Sequence, residues 1–309
     1  MASDPVVSWL LDGDPAIRWQ TLQDLAGLSG PKVARQRARI AREGWGARLL
    51  ELQAPNGGWA GLYTPKWTST TYTLLLLRAF GLPAGNRAAN SGATVLLDAG
   101  LFQDNGINFW WPRWRRSETC VTGMVLAIAA RFAAGDNRNE RLVEYLLTEQ
   151  MSDGGWNCRR PRGAMHSPLH TTISVLEALL EYENAGGRQA QRTHQARQRA
   201  HEFLCIHQMF RSHRTGKVID NRMTQFSFPP QWHYDVLRGL DYLQAAKALK
   251  DNRLGAAIDL VKKRRTSDGR WLLQNVHRGQ YHFAMEQPGQ PSRWNTLRAL
   301  RVLRWWGEE

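Results

Sequence analysis

Five segments of the chain repeat one pattern: an amphipathic stretch, a glutamine, a glycine-rich turn, an aromatic residue, a polar loop and a second, apolar stretch. They open with ARLLELQAPNGGWAG, ATVLLDAGLFQDNGINFWW, RLVEYLLTEQMSDGGWNC, RAHEFLCIHQMFRSHRTGK and AIDLVKKRRTSDGRWLLQ. Glutamine precedes an aromatic by six positions at Gln53/Trp59, Gln103/Phe109 and Gln150/Trp156. Arg265 takes the glutamine place before Trp271, and the fourth segment keeps Gln208 but has Arg214 in the aromatic place. A unit of this kind cannot bury its apolar face alone, so each copy must pack on its neighbours.

Each copy reads as two helices. LLLLRAF, GMVLAIAA and ISVLEALL are apolar nearly all round, the pattern of helices packed on several sides, and the amphipathic first helices would cover them from outside. Ahead of the repeats, PVVSWLLD and PAIRWQTLQDLAGL form another pair, followed by a basic helix, VARQRARIAREG. Strand signals are too short to matter. The expectation is an all-α chain, one domain over 1–309, with opening helices in 1–43 and five helix pairs in 44–307. About six pairs can extend as an open solenoid or close into a ring, and periodicity does not separate the two.

Composition narrows the partners. Hydrophobic residues make up 42% and charged residues 22%, an ordinary globular balance. No apolar run reaches the roughly 18–20 residues that span a bilayer. The start MASDPVVSWLLDGDP lacks a basic n-region, and three cysteines are too few for a disulfide framework, which together imply a reducing cytoplasm. Lys and Arg number 41 against 27 acidic residues, a net charge of +14. That suits an anion, but the basic residues are scattered and no nucleic-acid signature accompanies them, which favours a hydrophobic or anionic small molecule over nucleic acid. The 14 tryptophans, several beside Pro or Gly, fit an aromatic-lined cavity.

The glutamine…Gly-x-aromatic turn between an outer and an inner helix resembles the QW repeat of squalene-hopene cyclases and protein prenyltransferase β subunits, over roughly residues 44 to 307. The resemblance implies a closed α/α toroid with a central cavity, whose inner helices begin near one mouth. Those beginnings are Trp67-Thr-Ser-Thr, Ser117-Glu-Thr-Cys120, His166-Ser-Pro-Leu-His170, Gln231-Trp-His-Tyr-Asp235 and Ser292-Arg-Trp-Asn295. Capping explains their Ser and Thr, and explains His170, Cys120 and Asp235 less well.

Glu118, Cys120 and His170 are the sharpest group, since carboxylate, thiolate and imidazole all ligate zinc and three protein ligands leave a position for chemistry. The resemblance adds to this: prenyltransferase β subunits bind zinc through Asp-x-Cys at one inner-helix start and His-Thr at the next, and Glu118-x-Cys120 and His170-Thr171 stand in the corresponding units. Glu for Asp at 118 and Val121 in a tyrosine place depart from that pattern, and a partner α subunit cannot be read from this chain. Cys158 is either a competing ligand or a buried thiol, the latter being favoured. The Asp-x-Asp-Asp motif of class II terpene cyclases is absent, Asp12-Gly-Asp14 lying outside any inner-helix start.

Arg113, Arg115, Arg116, Arg159, Arg160 and Arg162 would surround a diphosphate if both loops face one mouth, or are a solvated surface. Trp67, Trp232 and Trp294 are candidate isoprenoid or sugar platforms, with Tyr234, Arg293 and Asn295 as further cavity groups. The favoured expectation is a transferase acting on an isoprenoid-type diphosphate with possible Zn²⁺. The alternatives are an acid/base hydrolase or lyase using Glu118, His233 and Asp235 without metal, and a non-catalytic toroid binding lipid or peptide. The irregular segment 210–228 is a candidate lid.

Overall fold

The structure, a computed structural model, describes residues 4–308. The described residues form helices joined by loops, with isolated β-bridges and no extended strand. Helices α1 (Pro5–Leu11) and α2 (Pro15–Gln20) open the chain, and α2 runs on through a π-helical turn to Leu25. Each starts at an Asp-Pro pair for a local reason. Asp4 and Asp14 accept from the backbone N–H groups of Val6 and Ala16, and proline at the first position has no N–H to leave unpaired.

After α3 (Pro31–Ala38), outer and inner helices alternate. The outer helices are α4 (Gly44–Glu51), α6 (Arg87–Gly100), α8 (Arg138–Thr148), α10 (Ala190–Ile206) and α12 (Gly255–Lys263). The inner ones are α5 (Thr70–Phe80), α7 (Thr119–Phe132), α9 (Leu169–Asn184), α11 (Val236–Ala245) and α13 (Arg293–Trp306). The ring closes where α13 returns to α2: Arg301 donates to Gln20 Oε1 at 2.9 Å and to Asp24 Oδ2 at 3.0 Å. Across the next gap, Trp19 Nε1 donates to the Phe80 carbonyl at 2.8 Å. The closed α/α toroid is therefore the architecture, and the open solenoid is not.

The repeat acts through one hydrogen-bonded clamp. Trp59 donates its backbone N–H to Thr70 Oγ1 (2.9 Å) on the inner helix and its indole N–H to the Leu49 carbonyl (2.8 Å) on the outer helix. Trp156 does the same with Thr172 and Leu146, and Trp271 with Thr296 and Val261. Gln53 and Gln150 each donate across two carbonyls, one in their own turn and one on the following outer helix (Ala88 and Ala196). In the second unit the clamp falls on Ile107, whose N–H reaches Thr122 Oγ1 at 2.9 Å, two residues before Phe109. Asp104 anchors Ser117 there as Asp153 anchors Ser167 in the third unit. The Gln103/Phe109 pairing is thus corrected: the place needs a buried side chain, and Ile107 is fully buried.

The inner helices do not all touch. α7 and α9 pack closely, and a Cβ on Gly123 would stand 3.1 Å from the Ser174 carbonyl oxygen. α5 also packs on α7 and α11 on α13, and charged pairs cross the ring as well. Arg238 of α11 holds Glu177 of α9 at 2.8 Å, Arg78 of α5 reaches Glu181 at 3.0 Å, and Arg298 of α13 reaches Asp241 at 3.3 Å. These groups line an axial cavity of about 280 Å³ at the C-terminal ends of the inner helices, walled by Leu76, Leu180, Phe228 and Trp294. Glu177→Ala leaves the Arg238 guanidinium, 6% exposed, buried without its carboxylate. The expected loss is about 3–5 kcal/mol in urea unfolding; a loss below about 1 kcal/mol would show that the bridge does not support the ring.

Candidate functional site at the N-terminal mouth

The clamps set where α5, α7, α9 and α13 begin, α11 begins at its Asp235 cap, and these beginnings lie at one end of the ring. There an open groove of about 510 Å³ is lined by Lys66 and Trp67 before α5, His170 in the first turn of α9, Trp232 to Asp235 before α11, and Asn275 to Arg278. Its floor is the strap Ser227–Asp235. Phe228 to Gln231 face the axial cavity, and Phe228 stacks on Trp294 with centroids 4.1 Å apart. Segment 210–228 is anchored by buried Phe210, Met223, Phe226 and Phe228, with the Phe226 carbonyl accepting from Gln274 N–H at 3.0 Å, and its residues Asp220, Arg222, Met223, Gln225 and Ser227 line the groove.

Three imidazoles meet in the groove. His233 stacks on His277 with centroids 3.8 Å apart and 8° between planes, and meets His170 edge-on at 5.9 Å. Trp232 covers the other side of His233, also at 3.8 Å. Burial, then repulsion from His277 and His170, pulls His233 down to about 3. Burial pulls His277 down to about 4, and burial and Arg238 lower His170. All three are neutral bases at neutral pH.

Their tautomers follow from their partners. Tyr234 donates its backbone N–H to His170 Nδ1 at 2.8 Å, so the proton of neutral His170 is on Nε2. Ser227 spends its one hydroxyl proton on Asp235 Oδ2 at 2.7 Å, so its oxygen accepts from His277 Nε2 at 3.3 Å. His277 therefore carries its proton on Nε2 and leaves the Nδ1 lone pair free. One groove thus holds a neutral N–H donor on His170 and a free basic nitrogen on His277.

Other expected residues fall differently. Asp235 is 2% exposed and caps α11, accepting from Arg238 N–H at 2.8 Å as well as from Ser227. Trp67 is buried with its indole N–H on the His277 and Arg278 carbonyls, and walls the groove. Tyr234 directs its hydroxyl to the Met209 carbonyl, away from the groove. Trp294 lies between Phe80 and Phe228 on the axial cavity. Asn295 ties down the Leu272 carbonyl, and Arg293 lies over Trp9 of α1. Arg113, Arg115, Arg116 and Arg159 are exposed, Arg160 pairs with Glu149 at 2.9 Å, and Arg162 lies over Trp114, so no cradle of six guanidinium groups forms.

The expected zinc donors do not fit an ion. Among the described residues no three His, Cys, Asp or Glu side chains are placed to hold one. His170 turns toward α11 and takes the Tyr234 N–H, whereas Cys120 turns toward the loop before α9, where its backbone N–H donates to Cys158 Sγ at 3.1 Å. Donating to Cys158 and burial push the Cys120 thiol well up, and accepting from it holds Cys158 down. Glu118 is half-buried at the head of α7, its carboxyl raised by burial against the opposing pull of Arg162 and Lys66. His277, Ser227 and Lys66 also line the groove and are missed by reading only the helix beginnings. The polar run QNVHRGQYHF in the fifth loop is the one signal that could have found His277.

No protein-family model and no curated protein matches the chain. Among solved structures it is similar to a protein from Actinoplanes (19% identity, 95% of this chain and 90% of that one, TM-score 0.50). It is also similar to a family 88 glycosyl hydrolase from Bacteroides vulgatus (10% identity, 94% and 90%, TM-score 0.53). The type II terpene cyclase MstE from Scytonema aligns at 17% identity over 94% and 88%, with a TM-score of 0.47. The first two likenesses show the fold, an α/α toroid. Among the described residues no helix is long and apolar enough to cross a membrane.

The depressed imidazoles couple stability to pH. Below about 6.5 the unfolded histidines take up protons that the folded ones refuse until about 4 for His277 and about 3 for His233. The unfolded state then binds more protons, so stability is full above pH 6.5 and falls as the pH drops toward 4. The melting temperature should decline from pH 7 to 5, with a shallower slope in His233→Asn and His277→Asn; equal slopes in all three proteins would contradict the burial described.

Proposed function

We propose that the chain is an acid–base enzyme, a hydrolase or lyase acting on a small anionic substrate in the histidine groove. The observation that carries this is the pairing of two neutral imidazoles of opposite role in one accessible groove, His170 offering Nε2–H and His277 a free Nδ1. His277 Nδ1 takes a proton from the substrate or from an attacking water, and His170 Nε2–H donates to the group that leaves or gains charge. His233, held between Trp232 and His277, keeps the two rings apart and oriented. Asp235 acts through Ser227, fixing the His277 tautomer. The groove volume lies within the roughly 300–1,000 Å³ of small-molecule sites. Lys66, poised over the Trp67 and Trp232 rings, and Arg278 at the rim supply the attraction for a carboxylate or phosphate.

Transfer to an isoprenoid diphosphate has less support, because the loop arginines are dispersed and the zinc donors diverge. The test is turnover on panels of phosphomonoesters, uronate glycosides and carboxylate esters, with and without chelator. A substrate found this way should lose about 10²–10⁴-fold in kcat with His277→Gln or His170→Gln, and nothing with chelator. The acid limb of kcat/KM should fall near pH 4, where His277 titrates. Turnover that survives both substitutions, or that chelator abolishes, would overturn the assignment.

A further inference from the structure

Cys158 and Cys120 take no part in the histidine groove, yet they are placed together with unusual care. Cys158 lies in the loop between α8 and α9, and Cys120 in the first turn of α7; both are partly buried and free. Cys120 backbone N–H points at Cys158 Sγ from 3.1 Å, and Thr171 Oγ1, in the first turn of α9, stands 3.6 Å from the same sulfur. A backbone donor and a hydroxyl from two helix beginnings thus converge on one sulfur, an arrangement that favours its thiolate, and the residue whose N–H it accepts carries a second thiol. Cys205 offers the contrast within the same chain: it is buried in α10, and burial pushes its thiol up to about 11.

We propose that Cys158 and Cys120 form a redox-active dithiol that exchanges with low-molecular-weight disulfides, Cys158 as the attacking thiolate and Cys120 as the resolving thiol. Cys158 Sγ attacks one sulfur of a small disulfide RSSR, whose S–S bond breaks to release RS⁻ and leave Cys158 joined to SR. Cys120 gives its proton to solvent or to the departing thiolate and attacks Cys158 Sγ, releasing the second RS⁻ and closing the Cys120–Cys158 bond. Two protein thiols are oxidised and one RSSR is reduced to two RSH. The bridge would tie the loop that carries Arg159, Arg160 and Arg162 to the beginning of α7, beside Glu118.

The experiment equilibrates the full chain in glutathione buffers from reduced to oxidised, blocks remaining thiols with iodoacetamide and maps peptides by mass spectrometry. The expected result is a fall from three free thiols to one, with a Cys120–Cys158 cross-linked peptide and an unmodified Cys205. Cys120→Ser, checked for fold by circular dichroism, should instead hold glutathione on Cys158, and Cys158→Ser should leave Cys120 unmodified. The mapping on the unsubstituted chain stands whether or not the variants fold. Absence of the cross-linked peptide in fully oxidised glutathione, modification of Cys205 before Cys158, or bridges only between separate chains would overturn the proposal.

Discussion

The structure depends on a single clamp used several times: a backbone N–H in the turn held by a threonine on the inner helix, with an indole N–H on the last turn of the outer helix. It satisfies donors that would otherwise be buried and unpaired where one helix ends and the next begins. It also sets the depth at which α5, α7, α9 and α13 start. Where the helices start, side chains of the preceding loop are delivered to the mouth, and the histidine groove follows. Fold and site therefore share a cause in the spacing from turn to threonine at α5, α7, α9 and α13, with the Asp235 cap fixing the beginning of α11.

At the opposite end the ring is held by charge. α9 and α11 are bridged by an arginine–carboxylate pair, and α13 adds such a pair to its packing on α2. Glu177 illustrates the balance. Burial alone would raise its carboxyl, but Arg238 and Arg78 bring it below its ordinary value. Desolvated pairs of this kind contribute little net stability while making loss of one partner costly, which favours one arrangement of the ring over its neighbours. The axial cavity exists because such pairs bridge a distance that apolar side chains would have filled.

The helix pairs were legible in the sequence because periodicity and the repeat each constrain them: LLLLRAF and GMVLAIAA can be buried on all sides only if other helices surround them, whereas closure into a ring was implied only by the resemblance to QW-repeat proteins. Register within the repeat was less legible. The clamp recognises a buried side chain and a threonine many residues later, so the aromatic at Phe109 was the wrong marker and Ile107 the right one. The mouth was half legible. His170 and His233 stand at helix beginnings and were found, whereas His277 and Ser227 come from loops that only the folded ring brings to them. Asp235 looked like a proton carrier because a lone acidic residue before a helix has two uses, and its contacts with Arg238 N–H and Ser227 make it a cap. Glu118, Cys120 and His170 matched a ligand spacing, but spacing does not state which way a side chain turns, and His170 turns to the next helix.

The central claim is that two imidazoles of fixed and opposite role share the groove, and ¹⁵N-histidine NMR reads it directly. Long-range ¹H–¹⁵N correlations, assigned with single substitutions among the nine histidines, report charge and tautomer ring by ring. The account predicts Nε2–H neutral rings for both His170 and His277 at neutral pH, with His233 and His277 still neutral at about pH 5.5. An imidazolium at His233 or His277 at that pH, or an Nδ1–H tautomer at His277, would contradict it.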